Sequence, residues 1–327
     1  NEWALLGFYS RINYDYKGKY LLELNGRYDG TSRFKKGDRF GFFPSVSAGW
    51  RLSEEDFFRP LSRIVNNLKI RASYGSLGNQ QVGNYAYIPI MNTATMNYLM
   101  NNTLTQYVGV PPAISPTLTW EKVTSTNLGL DIDMLRNRLS VSVDLYERKT
   151  IGMLPKGKTL SAVFGANPPQ ENAADLKTKG FELSVGWRDT KKLLGKPLTY
   201  SARFILSDYT GRITKFDNPN NLLSDYYVGE QLGDIWGYTI DGFFMTAAEA
   251  NAHSVNQDFV NKRRLSAPGI YKKLQPGDLR FVDLNGDKII NSGTNTLDNP
   301  GDMKVIGNSQ PRYQFGVNMD LAWNGFD

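Results

Sequence analysis

The stretch NLGLDIDMLRNRLSVSVDL, residues 127–145, decides the fold. Leu128, Leu130, Ile132 and Met134 alternate with Asn127, Gly129, Asp131 and Asp133. After the four residues 135–138, Leu139, Val141, Val143 and Leu145 alternate with Ser140, Ser142 and Asp144. A period of two belongs to a β-strand with one apolar face, and helical spacing fits neither half. So short a link makes the two strands antiparallel neighbours.

The same alternation recurs seven more times on either side. Its apolar sets are Leu6/Phe8/Ile12/Tyr14, Tyr20/Leu22/Leu24, Val46/Ala48/Trp50/Leu52 and Leu68/Ile70/Ala72/Tyr74. Towards the C-terminus they are Phe181/Leu183/Val185/Trp187, Tyr200/Ala202/Phe204/Leu206 and Phe315/Val317/Met319/Leu321/Trp323. Each segment is about 9–12 residues long, enough to cross a bilayer when tilted. Only residues 53–66, with Glu54-Glu55 early and Pro60 as an interruption, look like a short helix.

A soluble sandwich and a membrane barrel both have one apolar strand face, so the connections decide between them. Short links (15–19, 53–67, 135–138, 188–197 and the final Asn324-Gly325) alternate with a set of generally longer ones (29–40, 76–119, 149–176 and 211–312). That is the pattern of an up-and-down barrel in an outer membrane, with tight turns on one side and elaborate loops on the other. A Greek-key sandwich has no reason to keep it. At the short-link ends Tyr14, Tyr20, Trp50, Trp187, Tyr200 and Trp323 share the parity of their apolar sets, as a girdle at a membrane–water boundary would. Tyr28, Tyr74 and Tyr313 suggest a second ring at the other end. The competing explanation is the general taste of aromatic residues for strands. In a barrel the polar parity faces an aqueous lumen, because Lys69, Arg71 or Arg203 turned to lipid at mid-depth would each cost ~2–4 kcal/mol.

Composition agrees. The 327 residues carry a net charge of +6, 21% charged and 40% hydrophobic residues, and 13% aromatics. This is neither a disordered profile nor that of a nucleic-acid binder. No run approaches the ~18 apolar residues of a membrane helix. The absence of Cys excludes disulfides and thiolate metal sites, and the single His253 excludes a two-His zinc site and argues against a Ser/His/Asp triad. No phosphate or dinucleotide fingerprint occurs, and Lys262-Arg263-Arg264 is too short for a nucleic-acid stripe. Nine strands would leave two open edges in lipid, where barrels close with even counts. The chain therefore reads as one partial domain, 1–327, with strand edges at both ends lacking partners.

Several motifs resemble the barrel of SusC/RagA-type TonB-dependent outer-membrane transporters. They are DGTSRF (29–34), GFFPSVSAGWRLSEEDF (41–57), LKIRASYGSLGN (68–79), TWEKVTSTNLGLDIDM (119–134), KGFELSVGW (179–187), GDIWGYTIDGFF (233–244), PGDLRFVDLNGD (276–287) and VIGNSQPRYQFGVN (305–318). They occur in the family's order and cover nearly the whole chain. Departures are few: Thr178 stands where Asn is usual, and Lys288 where Gly is usual. The resemblance implies about nine strands of a barrel of about 22, without its N-terminal plug and last strands. It further implies TonB-driven import of a bulky nutrient, usually a glycan and sometimes a peptide, across the outer membrane of a Gram-negative bacterium. The implied partners are a SusD-like surface lipoprotein, the TonB–ExbB–ExbD complex and outer-membrane lipid, with no nucleic acid and no enzymatic step. The alternative is a secreted carbohydrate-binding or glycan-degrading β protein.

Candidate sites lie in the long links. Tyr98, Tyr107, Tyr226, Tyr227, Trp236 and Tyr238 offer aromatic faces on which sugar rings stack, or else pack the loops. Asp283, Asn285 and Asp287 have the i, i+2, i+4 oxygen spacing of a calcium loop, with Asp298 and Asp302 as further donors. Lys288 and Thr294 occupy the positions of its turn Gly and terminal acid, and the other reading is an Asx/Gly-rich turn. Asp131, Asp133 and Asp144 resemble a catalytic pair but read as lumen carboxylates, solvated or paired with Arg and Lys. His253, in a helix-like insertion at 247–261, reads as a solvated loop residue without a role.

Overall fold

A computed structural model of the chain describes residues 2–111, 113–154, 163, 165, 169, 171–260 and 273–326. The nine alternating segments are nine strands of one antiparallel sheet. They are β1 (Leu5–Tyr16), β2 (Tyr20–Thr31), β3 (Phe40–Arg51), β4 (Val65–Asn79), β7 (Glu121–Met134), β8 (Leu139–Met153), β9 (Ala174–Leu193), β10 (Lys196–Lys215) and β15 (Gln314–Trp323). Spatial order follows chain order, β1-β2-β3-β4-β7-β8-β9-β10-β15, which is the up-and-down topology the alternating link lengths require. Among the described residues β1 pairs only with β2, and β15 only with β10. Six short strands lie in the long links: β5 (Thr93–Met100) with β6 (Thr103–Val108), β11 (Asp234–Tyr238) with β14 (Met303–Asn308), and β12 (Ile240–Phe243) with β13 (Leu279–Phe281).

The apolar parity is not tucked into a core. Phe8 is 60% exposed, Leu128 53%, Leu145 55% and Val317 54%. A sandwich would bury these residues, whereas a barrel wall keeps them for acyl chains. Tyr20 pairs with Trp50, and Trp50 with Ile70. Followed strand by strand, this line reaches Leu130, Val143, Leu183, Leu206 and Phe315. The predicted girdle residues depart steadily from it: Trp187 lies four residues beyond Leu183, Tyr200 six before Leu206, and Trp323 eight beyond Phe315. Eight residues at ~3.3 Å against six strand spacings of ~4.8 Å is a slope of roughly 40°. Barrel strands tilt by that amount, so the aromatic residues keep one depth while the register climbs.

Residues 53–66 are not the single helix their pattern predicts. They form two 3₁₀ segments, Leu52–Glu54 and Asp56–Leu61, the second containing Pro60, which has no amide to continue a helical ladder. At the long-link end of the sheet, Phe34, Val82 and Leu118 are buried together, with Trp120 and Leu154 packed against them. Trp120 also meets Phe43, and its indole donates to the Arg39 carbonyl at 3.1 Å. Residues 216–311 form a separate compact unit. It contains the helix α1 (Ala247–Ala252), whose N-cap Thr246 accepts the Glu249 amide while Glu249 accepts the Met245 amide.

Candidate functional site

The polar parity of the sheet carries two ion pairs that share Arg71. Arg71 on β4, Gly129 on β7 and Asp144 on β8 lie side by side in the register. Any side chain at 129 would collide with the guanidinium, since an added Cβ would stand 2.6 Å from Arg71 Cζ. Across that gap Arg71 forks to Asp131 at 2.7 and 3.0 Å, and to Asp144 at 3.0 and 2.9 Å. Ser142 Oγ donates to Asp131 at 2.9 Å, and Asn67 donates to Asp133 at 3.1 Å. A cavity of about 870 Å³ over this face is lined by Lys69, Asp131, Asp133, Ser142 and Arg203 among others. Two bidentate forks sharing one guanidinium make a rigid, charge-compensated surface. Asp131 and Asp144 are thus paired with a cation, Arg71, whereas Asp133 is held by the neutral amide of Asn67.

At the short-link end, Glu55 ties the girdle to the link. Its carboxylate accepts from the Tyr20 hydroxyl at 2.7 Å, the Trp50 indole at 3.1 Å and Lys19 Nζ at 3.2 Å. The Tyr20 and Trp50 rings stack with centroids 6.3 Å apart. The Tyr20 hydrogen bond, followed by those from Trp50 and Lys19, holds the Glu55 carboxyl below the ordinary glutamate range.

The aromatic candidates fall into two groups. Tyr98 and Tyr107 stand exposed on the β5–β6 hairpin. They lie within the 49 residues from Ala72 to Trp120, which include no Asp, Glu, Lys or Arg. The other four contribute to the packing of residues 216–311. Tyr227 is buried and its hydroxyl accepts the Trp236 indole at 3.3 Å, Tyr226 meets Phe216 edge-on, and Tyr238 meets Phe281 edge-on. Nearby, burial pushes the Glu230 carboxyl up.

The Asp283–Asp287 stretch is an Asx turn. Asp283 accepts the amides of Gly286 at 2.7 Å and Lys288 at 2.9 Å, and Asp287 accepts that of Ile289 at 2.7 Å. Asn285 accepts the Asp287 amide at 3.0 Å. Asp302 is fully buried and accepts the amides of Leu284 at 2.8 Å and Asn291 at 2.9 Å, so it anchors the turn from within. Among the described residues no three His, Cys, Asp or Glu side chains are grouped to hold a metal ion. His253 is not a solvated residue: its ring packs edge-on to Phe244 at 4.9 Å, with Nε2 buried. The buried Phe244 ring beside it explains the difference. Lys262-Arg263-Arg264 lies outside the described residues.

An antiparallel sheet of tilted strands with an exposed apolar face, an aromatic ring at one depth and an ion-paired polar face defines the wall of a transmembrane β-barrel. A family model described as "TonB dependent receptor-like, beta-barrel" matches residues 1–324, and the chain belongs to that family. It is 30% identical to TonB-dependent receptor P39 of Formosa agariphila over 99% of its own length and 32% of that protein's. It is 31% identical to TonB-dependent receptor SusC of Bacteroides thetaiotaomicron, over 89% of this chain and 28% of the relative. The solved RagAB peptide transporter matches at TM-score 0.61 and 26% identity, over 73% of this chain and 26% of that one. In its closed-closed state the RagAB peptide importer matches 99% of this chain and 32% of its own, at TM-score 0.68 and 21% identity, a likeness of fold. The chain spans about a third of the length of the curated relatives it matches. The family is one of transporters, not enzymes.

Proposed function

We propose that this chain forms wall and loops of an outer-membrane importer in a Gram-negative bacterium, driven by TonB–ExbB–ExbD and lidded by a SusD-like lipoprotein. The observation that carries this reading is the exposure of a whole apolar sheet face opposite an ion-paired polar one. A secreted carbohydrate-binding protein would have no use for that exposed face. The cargo is a glycan oligosaccharide. In support, Tyr98 and Tyr107 stand exposed on a stretch without charge, which suits neutral rings and hydroxyls better than charged peptides. A second reading, peptide import, is favoured by the likeness to the RagAB peptide transporter.

Calcium at Asp283, Asn285 and Asp287 remains a proposal of its own, and the ion would compete with the backbone amides these side chains now accept. Calcium titration of the full-length protein by calorimetry tests it, with heat at millimolar calcium as the supporting result.

Cells carrying the full-length transporter with Tyr98→Ala and Tyr107→Ala should take up oligosaccharide with a several-fold higher half-saturation concentration. Each stacked ring is worth about 0.5–1.5 kcal/mol. Unchanged uptake would remove these two residues from the binding surface, and loss of peptide uptake alone would favour the second reading.

A further inference from the structure

Most of the net charge of the chain lies at one end of the sheet. The short links 15–19, 53–67, 135–138 and 188–197 contain ten Lys and Arg against five Asp and Glu, a surplus of five where all 327 residues carry +6. Among the described residues each of those five carboxylates is already engaged. Asp15 accepts the Gly18 amide, while Glu54, Glu55, Asp56 and Asp189 pair with Arg51, Lys19, Arg59 and Arg138. Among the described residues Lys17, Arg136, Lys191 and Lys196 form no salt bridge. Lys17 lies over the Tyr16 ring, and Lys196 donates to Asn324 at 2.5 Å.

Depth supplies the second observation. The girdle passes through Tyr14, Trp187, Tyr200 and Trp323; Lys17, Lys191 and Lys196 sit just outside it, and Arg136 lies in the turn between β7 and β8. Lys17 follows Tyr14 by three residues, Lys191 follows Trp187 by four on the same strand parity, and Lys196 precedes Tyr200 by four on its parity. Four residues at ~3.3 Å, tilted by roughly 40°, place them about 10 Å beyond the aromatic ring. Flexible stems can bring their charges back to the phosphate layer. Apolar side chains stand exposed between them, with Leu135 at 44%, Leu193 at 45% and Leu194 at 84%. Cations interspersed with apolar anchors at this level are the pattern of an interface with anionic lipid.

We propose that the short-turn rim, formed by Lys17, Arg136, Lys191 and Lys196, binds the phosphate headgroups of anionic phospholipid in the leaflet that surrounds it. Each cation near an anionic surface contributes independently, so the rim gathers such lipids around the wall and fixes its depth. The inference rests on the membrane-spanning reading of the chain.

The test is native mass spectrometry of the full-length protein released from nanodiscs of mixed phosphatidylglycerol and phosphatidylcholine, at low and high salt. Wild type should retain phosphatidylglycerol about fivefold over its share of the bilayer, and less at high salt. The variant K17Q/R136Q/K191Q/K196Q should retain the two lipids in proportion. A control variant at the opposite strand ends, K122Q/K149Q, should behave as wild type. Equal retention by wild type, or a preference that survives in the quadruple variant or disappears in the control, would overturn the proposal. Failure of wild type to enter a bilayer at all would overturn the importer reading as well, whereas insertion without lipid preference leaves that reading standing.

Discussion

Arg71 shows how much one residue can organise on a strand face. It compensates two carboxylates at once, and the glycine between them is the space it uses. Arg71→Leu should destabilise the folded barrel by about 1–3 kcal/mol, because Asp131 and Asp144 are left partly buried without a counter-charge. Adding Asp131→Asn should restore part of that loss. Urea midpoints for the single and double variants in lipid vesicles check both; additive losses would mean that the pair does not interact. The sequence shows that Asp131 and Asp144 share a parity with Arg71, but not which cation claims which anion. That choice depends on register, and in the register the polar set of β7 includes a glycine directly beside Arg71.

At the scale of elements, strands were legible and their punctuation less so. Alternation locates all nine sheet strands because a slip by one residue would turn every leucine into the lumen. The shortest loop strands are invisible to it: β12 is four residues long and β13 three, too short for a period to show. The link 53–66 has the acidic residues before an apolar run that mark a helix start, yet Pro60 sits where the ladder needs an amide. Its real organiser is Glu55. A carboxyl held below its ordinary value stabilises the fold above the unfolded value of ~4.3, and that contribution disappears as pH falls through the lower folded value. Glu55→Gln should therefore lower the urea midpoint at pH 7, and the gap to wild type should close on acidification below about pH 4. A gap that is constant with pH would show that Glu55 acts without its charge. The aromatic candidates divide along the same line: residues in a bare hairpin stay exposed, whereas those in a 96-residue insertion with its own buried Phe244 and Ile290 serve its packing first.

For the molecule as a whole, the decisive property is which side of the sheet meets hydrocarbon. Leu128→Arg, at the middle of the apolar face, should cost ~2–4 kcal/mol, and Asn127→Arg, one residue earlier, close to nothing. Folding titrations into lipid vesicles measure both, and equal costs would mean that the faces are not distinguished by lipid. The tilt of the strands beneath a level aromatic ring bears on inheritance. A deletion of two residues within β8 keeps every side chain on its own side, yet it hoists the adjoining turn by roughly 5 Å into the acyl region. Descendants of this chain are thus free to lengthen and reword what hangs from its ribbons, while the ribbons themselves have almost no liberty in length.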